Sequence, residues 1–326
     1  MIDLKYRALR QDDSASVSEI ENRITGSSRD GFIEKYLAIA TSSSESFITC
    51  AALSGEQLIG YGFARIMDGE FGVGGPVAVL DVIGVTTDAQ GSGIGKRVIH
   101  EIERIMKLKN ICTLRTQTLW TDQRMTGFFS SVGFELAASK IIERDTIPLS
   151  EKVTEISYKK MDSVWQVHGV GKNDYEALSR DKVLVRSLNM EDMASVVRID
   201  SKLTGLDRSA YFKNKFKEML FESGIRVSLV SEDDGIITGF VMARVDFGAF
   251  GKVDKTAVLD TIGVHPAYAG SGIGTALLSQ LLINLSTLQV ASVRTQVHDD
   301  NYDLQRFLRG CGFRHSQRLV LTKSVS

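Results

Sequence analysis

The stretch DAQGSGIGKRVIHEIE (residues 88–103) has a close counterpart in AYAGSGIGTALLSQLL (residues 267–282). In each, three glycines at alternate positions precede an unbroken helical pattern. A chain that enters a helix through such a turn directs several backbone N–H groups at one point, and the helix N-terminus adds partial positive charge. Glycine also allows positive φ and close approach of a ligand. The stretches therefore predict two phosphate-binding turns, with a tight turn that holds no ligand as the alternative.

Both stretches belong to a long internal repeat. A shift of 179 residues aligns residues 80–95 with residues 259–274, and 10 of these 16 positions are identical. Arg-Thr-Gln and Gly-Phe pairs further along also match at the same shift. A period this long indicates two copies of one domain and not a solenoid of short units. We predict domains over residues 1–147 and 183–326, joined by a polar linker over residues 148–182.

The two copies share one order of elements. A strand leads into two helical segments and two further strands, and an apolar strand, the glycine turn and a helix follow. A strand, a helix ending in Gly-Phe and a last strand (LAASKII or QRLVLTK) finish each copy. Alternating strands and helices around a mixed sheet place the chain in the α/β or α+β class.

Composition excludes several classes of function. The formal net charge is −1 over 326 residues, so the chain lacks the basic excess of a nucleic-acid-binding protein. No apolar stretch is long enough for a membrane span, and MIDLKYRALRQDD has no apolar core for a signal peptide. Three widely spaced cysteines indicate neither a disulfide framework nor a metal site. We expect a cytoplasmic monomer or homodimer without nucleic-acid or membrane partners.

The spacing of the glycine turn discriminates between phosphate motifs. A dinucleotide fingerprint needs GxGxxG, and a P-loop needs Ser or Thr where Arg97 follows Lys96. The remaining spacing is Gln-x-x-Gly-x-Gly, at Gln90, Gly93 and Gly95. Here the sequence resembles the GNAT acyltransferase superfamily, whose signature is Arg/Gln-x-x-Gly-x-Gly/Ala between a core strand and a helix. The resemblance covers both copies and includes the valine that ends the strand.

This resemblance implies tandem GNAT folds, each with a central mixed sheet flanked by helices, and acetyl-CoA as the cofactor. In the family, the turn holds the pyrophosphate and the strand backbone pairs with the pantetheine arm. The implied residues of the first copy are Ile83, Val85, Gln90, Gly91, Ser92, Gly93, Ile94, Gly95 and Lys96. Those of the second copy are Ile262, Val264, Ala269, Gly270, Ser271, Gly272, Ile273, Gly274 and Thr275, together with Asn301, where relatives often have an asparagine that touches the cofactor.

An aspartate lies within the apolar strand of each copy, Asp81 and Asp260. A buried carboxylate is unfavourable unless something offsets its desolvation. One interpretation is a general base beside the thioester, since a protonated amine must lose a proton before it attacks. The other interpretation is a structural ion pair with Arg115 or Arg294 on the next strand.

Other candidate residues follow from comparison with the family. Many relatives have a tyrosine as general acid at the positions of Phe129 and Leu308, so we name His298 and Tyr302 as candidates to replace it, with a solvated loop as the alternative. Arg29 and Arg208 are candidate substrate residues, with surface solvation as the alternative.

The resulting hypothesis is acetyl transfer to a primary amine of a small molecule or peptide. Asn301, His298 and Tyr302 favour the second copy as the catalytic one. The alternative function is a CoA-binding sensor or structural module without turnover.

Overall fold

A computed structural model describes residues 4–26, 30–42, 45–68, 75–149, 183–217, 225–247 and 255–325. These residues form two compact units. Unit 1 includes Met1–Lys140 and Gln317–Ser326, and unit 2 includes Ile141–Asp246 and Lys255–Ser316. The greater part of the predicted linker, residues 150–182, lies outside the described residues.

The helices are α1 (Ser14–Thr25), α2 (Asp30–Ser42), α3 (Ile94–Leu108), α4 (Gln123–Ser131), α5 (Met193–Thr204), α6 (Ser209–Lys217), α7 (Ile273–Thr287) and α8 (Tyr302–Gly310). The strands are β1 (Leu4–Arg7), β2 (Phe47–Ser54), β3 (Gln57–Asp68), β4 (Pro76–Val85), β5 (Thr113–Leu119), β6 (Glu135–Leu136), β7 (Ser139–Asp145), β8 (Leu184–Ser187), β9 (Leu229–Asp233), β10 (Ile236–Phe247), β11 (Lys255–Val264), β12 (Ser292–His298), β13 (Arg314–His315) and β14 (Arg318–Ser324).

Unit 1 is built on a seven-stranded sheet in the order β1-β2-β3-β4-β5-β14-β6. One face packs against the apolar side of α3, where Val98, Ile102 and Met106 follow helical spacing and are fully buried. The opposite face packs against α1 and α2 through a second cluster that includes Val17 and Leu37. The sheet is therefore covered on both faces, as the alternating pattern of strands and helices predicts.

Unit 2 repeats this arrangement with the order β8-β9-β10-β11-β12-β7-β13. The apolar face of α7 covers one side of its sheet, and Val196 of α5 and Phe212 of α6 lie in the core on the other side. The two mixed sheets with flanking helices confirm the predicted fold class.

The two parallel strands at the centre of each sheet are hydrogen-bonded to each other only near their N-terminal ends. In unit 1 the β4–β5 ladder consists of Ala78 opposite Leu114 and Val79 opposite Arg115, although β4 continues to Val85. In unit 2 the β11–β12 ladder likewise covers only Thr256–Val258. The carboxyl ends of the two strands are therefore not joined to each other by the ladder, and the glycine turn follows directly from one of them.

Each sheet is completed by the last strand of the other repeat. Strand β14 pairs with β5 from Arg318 opposite Leu119 to Ser324 opposite Thr113. Conversely, β7 lies between β12 and β13 in the sheet of unit 2. The exchange reaches the cores, because Leu321 belongs to the core of unit 1. The sequence interpretation, in which the last strand finishes its own copy, is corrected here: the two sequence repeats and the two compact units do not coincide.

An arginine–aspartate clamp attaches the first strand of each unit to its first helix. Arg186 on β8 donates two hydrogen bonds of 2.8 Å to Asp192, which precedes α5. Arg7 and Asp13 form the same clamp in unit 1. Asp192 also accepts the backbone N–H of Asn189 at 2.9 Å, so the clamp fixes the loop between strand and helix as well.

Candidate functional site

The glycine turn of unit 1 has the geometry of an anion-binding turn. Gly91 and Gly93 have φ of +79° and +83°, a left-handed conformation that favours glycine. Both are exposed, and a Cβ at either would meet no atom within 4 Å. Arg97 N–H bonds back to the Gly93 carbonyl at 3.1 Å, so amide groups before it lie in the first turn, where a helix offers them no partner. An anion at this turn would meet several of these donors.

The side chain of Gln90 connects three elements of unit 1. Its Nε2 donates to the carbonyl of Val85, the last residue of β4, at 2.9 Å. Its Oε1 accepts a hydrogen bond from Arg124 in the first turn of α4. A Cβ at Gly95 would lie 3.1 Å from Phe128, so α3 and α4 also approach closely at this glycine. The turn is thus braced from the strand and from α4.

The turn of unit 2 keeps the backbone of unit 1 and the contact with the next helix, since a Cβ at Gly274 would lie 3.3 Å from Phe307, but it has no counterpart of the Gln90 side chain. Gly270 and Gly272 have φ of +80° and +84°, but Ala269 replaces Gln90. His265, at the exit of β11, accepts the Ala267 N–H on Nδ1 at 3.2 Å, and Lys202 lies 2.8 Å from its Nε2. Burial and the nearby cations lower the pKa of His265, which favours the neutral ring that this cap requires.

The two turns differ in the charged side chains beside them. Unit 1 has exposed cations at Lys96, Arg97 and Arg124. The equivalent positions of unit 2, found by adding 179, are Thr275, Ala276 and Asp303. Trp120, which follows β5, corresponds to Asp299. The first three differences remove positive charge from unit 2, although Ala267 and Asn301 also replace the acids Asp88 and Asp122.

Asn301 and its counterpart have the same structural role. Asn301 Oδ1 accepts the Leu304 N–H at 3.1 Å and caps α8, while Asp122 Oδ1 accepts the Met125 N–H at 3.0 Å and caps α4. Both side chains are exposed helix caps. A contact between Asn301 and a cofactor stays a prediction.

Asp81 lies in a polar cluster at a bulge of β4. The β3–β4 register shifts there, since Phe63 pairs with Val82 and Ala64 with Leu80. Asp81 accepts hydrogen bonds from Arg65 Nε at 2.5 Å and Arg65 Nη2 at 2.9 Å, and from the hydroxyl of Tyr36 on α2. Its side chain keeps 11% of its surface exposed.

Asp260 has a different set of partners. It pairs with Arg244 on β10, and Lys215 Nζ on α6 lies 3.9 Å from its Oδ2. Arg244 is the repeat counterpart of Arg65, and Lys215 replaces Tyr36. The Asp260 side chain is only 4% exposed. An ion pair is therefore present in both units, and the arginine that the structure shows in it lies on the preceding strand. A pairing with Arg115 or Arg294 stays a prediction.

The remaining candidates lie apart from these clusters or have local partners. His298 Nδ1 is 2.5 Å from Asp300 Oδ1, and Tyr302 is 70% exposed. Arg208 is 11% exposed, lies 3.0 Å from Asp200 and stacks over the ring of Tyr211. Burial raises the pKa of Asp200, and the positive charge of Arg208 opposes that shift.

Three further positions that the sequence analysis discussed are Arg29, Phe129 and Leu308. Arg29 lies outside the described residues. Phe129 and Leu308, where relatives have the acid tyrosine, are core residues with 1% and 0% exposure.

The buried cysteines are poor nucleophiles. Burial raises the pKa of Cys50 to about 12 and the pKa of Cys311 to about 11, which keeps both thiols protonated near neutral pH. Among the described residues, no group of three or more His, Cys, Asp or Glu side chains is arranged to hold a metal ion.

An open groove of about 690 Å³ borders α1 of unit 1 and is lined by residues that include Ser18, Asn22 and Glu34. It contains no residue of the glycine turn or of the Asp81 cluster, so we do not assign the reaction to it. In the part of the chain that the structure describes, no helix is long and apolar enough to cross a bilayer.

Comparison with known proteins identifies the family of the chain. The model of the acetyltransferase (GNAT) family matches residues 12–134 and 195–313, one segment in each repeat. These segments cover more than half of the chain, and the protein belongs to the GNAT acetyltransferase family.

Solved structures show the same tandem fold. A tandem GNAT protein from the clavulanic acid biosynthesis pathway is 14% identical, with a TM-score of 0.63 and 99% of each chain covered. A GCN5-related N-acetyltransferase from Sphaerobacter thermophilus is 12% identical, with a TM-score of 0.60, 99% of this chain and 96% of that chain covered. A glucosamine N-acetyltransferase region of a fungal multi-domain β-N-acetylglucosaminidase has a TM-score of 0.68 at 12% identity; the match covers 99% of this chain but only 38% of that longer one.

Proposed function

We propose that the protein is an acetyl-CoA-dependent N-acetyltransferase and that unit 1 binds the donor. The observation that carries this proposal is the exposed glycine turn of unit 1, with its left-handed glycines and the adjacent cations Lys96, Arg97 and Arg124. CoA is a polyanion with a pyrophosphate and a 3′-phosphate. Backbone N–H donors, a helix N-terminus and basic side chains are the groups that bind such anions.

The residues of unit 1 fit the donor better than those of unit 2. In unit 1 the three cations exceed the nearby acids Asp88 and Asp122 in number. In unit 2, Asp299, Asp300 and Asp303 follow β12 without equivalent cations in the turn. Like charges beside a phosphate oppose binding. The backbone of the second turn then acts as structure, and the donor binds at one turn per chain.

The Asp81 cluster supports direct transfer to an amine. Bound acetyl-CoA would supply the activated acetyl group as a thioester. Asp81 provides a carboxylate at the bulge of β4 that can receive a proton from the acceptor amine, directly or through water. The Tyr36 hydroxyl hydrogen-bonded to Asp81 gives that proton a further path, and Arg65 holds the carboxylate in place. The high pKa values of Cys50 and Cys311 agree with a mechanism without a cysteine nucleophile.

A second candidate is a CoA-binding module without turnover. The observation in its favour is the burial of Phe129 and Leu308 in the positions of the acid tyrosine. Both candidates require CoA binding, and turnover with an amine panel separates them. The acceptor on this proposal is a primary amine of a small molecule or peptide.

Titration calorimetry of acetyl-CoA tests the donor site. We expect one site per chain. The double variant Lys96→Thr/Arg97→Ala gives the first turn the residues of the second. It should weaken acetyl-CoA binding roughly a hundredfold, because two charge-assisted contacts are lost. The variant Lys107→Thr/Lys109→Ala removes two exposed lysines at the other end of α3 and serves as the charge-matched control. Absence of binding at millimolar acetyl-CoA in the parent protein would contradict the proposal.

A further inference from the structure

We infer that Trp120 is the stacking platform for the adenine base of the donor and so makes unit 1 selective for CoA over smaller acyl thioesters. The inference rests on the proposed function and concerns the part of the ligand beyond the phosphates. Trp120 is 58% exposed, an unusual environment for the largest apolar side chain. It directly follows β5 and stands two residues before the N-cap of α4.

Trp120 stands just before α4, a helix that contacts the glycine turn of unit 1. The Arg124–Gln90 hydrogen bond and the Phe128–Gly95 contact join the N-terminal half of α4 to the glycine turn. The backbone of Trp120 is fixed too, since its N–H donates to the Gln317 carbonyl at 2.9 Å and Asp122 N–H donates to the Leu119 carbonyl at 3.0 Å. An exposed indole on a fixed backbone loses little freedom when a base stacks on it.

The cations near Trp120 indicate that the ligand stacked on its indole is a nucleotide. Lys96, Arg97 and Arg124 provide positive charge beside the same turn, and a purine nucleotide combines phosphates with a flat aromatic ring. Base–aromatic stacking is favourable for any base, because every base has a π-face.

Unit 2 gives an internal comparison. It has neither the aromatic residue nor the three cations, and the equivalent positions are Asp299, Thr275, Ala276 and Asp303.

The binding test compares two donors. Acetyl-phosphopantetheine has the thioester arm and one phosphate but no adenosine. Trp120→Ala should weaken acetyl-CoA binding roughly tenfold, the typical cost of losing one stacked base, and leave acetyl-phosphopantetheine binding unchanged. Trp120→Phe should recover most of the loss. Leu108→Ala, which removes another exposed apolar side chain (74% exposed) at the far end of α3, is the matched control.

Fluorescence provides a direct readout. The chain has two tryptophans, and Trp165→Phe leaves Trp120 as the sole emitter. With excitation at the indole edge, acetyl-CoA should quench this emission and acetyl-phosphopantetheine should not. Equal weakening of both donors by Trp120→Ala, or tight acetyl-CoA binding with no loss in that variant, would overturn the inference while leaving the proposed function intact. Failure of the parent protein to bind either donor would contradict the proposed function itself.

Discussion

The Arg124 guanidinium donates a hydrogen bond to the side-chain oxygen of Gln90, and this contact ties the start of α4 to the glycine turn of unit 1. Because Gln90 also bonds the last carbonyl of β4, strand, turn and helix are held as one frame. Unit 2 has Ala269 and Asp303 at these positions and lacks this link. The same backbone turn therefore has two degrees of preorganisation in one chain.

A double-mutant cycle on this frame separates bracing from direct ligand contact. Gln90→Ala should weaken acetyl-CoA binding roughly tenfold, because the turn loses its brace. If Arg124 acts through Gln90, the losses in Gln90→Ala and Arg124→Ala are not additive, with a coupling energy of about 0.5–3 kcal/mol. Calorimetry on the four proteins measures the coupling. Fully additive losses would show that Arg124 meets the ligand independently.

The Asp81 cluster predicts that acetyl transfer takes place in unit 1. Asp81→Asn keeps the shape of the side chain but removes the proton acceptor, so kcat should fall roughly 10²- to 10⁴-fold, with little change in the affinity for acetyl-CoA. Tyr36→Phe should give a smaller loss in kcat. The measurement is steady-state turnover with any amine that the parent acetylates. If Asp260→Asn lowers kcat more than Asp81→Asn does, catalysis belongs to unit 2.

Asp260 has a greater effect on stability than Asp81. Asp260→Asn removes the negative charge that Arg244 and Lys215 share, and the side chains of these two cations are only 11% and 7% exposed. Removing one partner from a buried ion pair destabilises a protein by about 3–5 kcal/mol. Asp81→Asn should cost less, since Arg65 is 24% exposed and water can solvate it. Thermal melts of the two variants under the same conditions test the order, and equal melting temperatures would contradict it.

We expect the stability of the protein to depend on pH through Asp192. Burial pushes the pKa of this carboxyl upward, but hydrogen bonds from Arg186 and from the Asn189 backbone outweigh burial and hold the pKa below its usual value. A carboxyl whose pKa is lower in the folded than in the unfolded state stabilises the fold at pH values above the unfolded pKa of about 3.9. This stabilisation is lost as the pH falls below that value.

Asp192→Asn should therefore lower the melting temperature near pH 7, and its difference from the parent should shrink below about pH 4. Asp12→Asn, at an exposed position, is the control and should change the melting temperature little at either pH. A difference between Asp192→Asn and the parent that stays constant with pH would show that lost packing, not charge, causes the destabilisation.

The strand exchange predicts how the chain behaves when it is divided. A fragment of residues 1–149 has β5 as an open edge without β14, and a fragment of residues 183–326 lacks β7. Open edges and incomplete cores favour aggregation. Coexpressed fragments should associate and purify together, whereas each alone should be insoluble or unfolded. Well-folded, monomeric single fragments by circular dichroism and gel filtration would contradict the exchanged pairing.

The sequence was sufficient to predict the fold class and the turns, because both depend on local features. The 179-residue repeat and the glycine spacing predict paired domains with a strand, a turn and a helix, and φ near +80° at Gly91 and Gly270 agrees with that prediction. These features need only neighbouring residues, so they are visible in a single chain.

The partners of Asp81 depend on strand register instead. Arg65 stands opposite Val79 across an antiparallel pair, and a bulge at Asp81 turns the carboxylate toward it. No local sequence pattern predicts that bulge. The repeat does contain a signal, since Arg65 and Arg244 match at the same shift as the aspartates. Strand exchange has no such signal, because β7 and β14 occupy equivalent positions in the repeat.

The position of β14 also sets an order in time. A ribosome builds the chain from the N-terminus, so β5 exists long before residues 318–324, which become its antiparallel neighbour. The core of unit 1 likewise waits for Leu321. Contacts so distant in sequence form slowly. The nascent first half consequently remains unfinished while the second half is translated, and its completion is the last event in the assembly of the sheet that carries the proposed donor site.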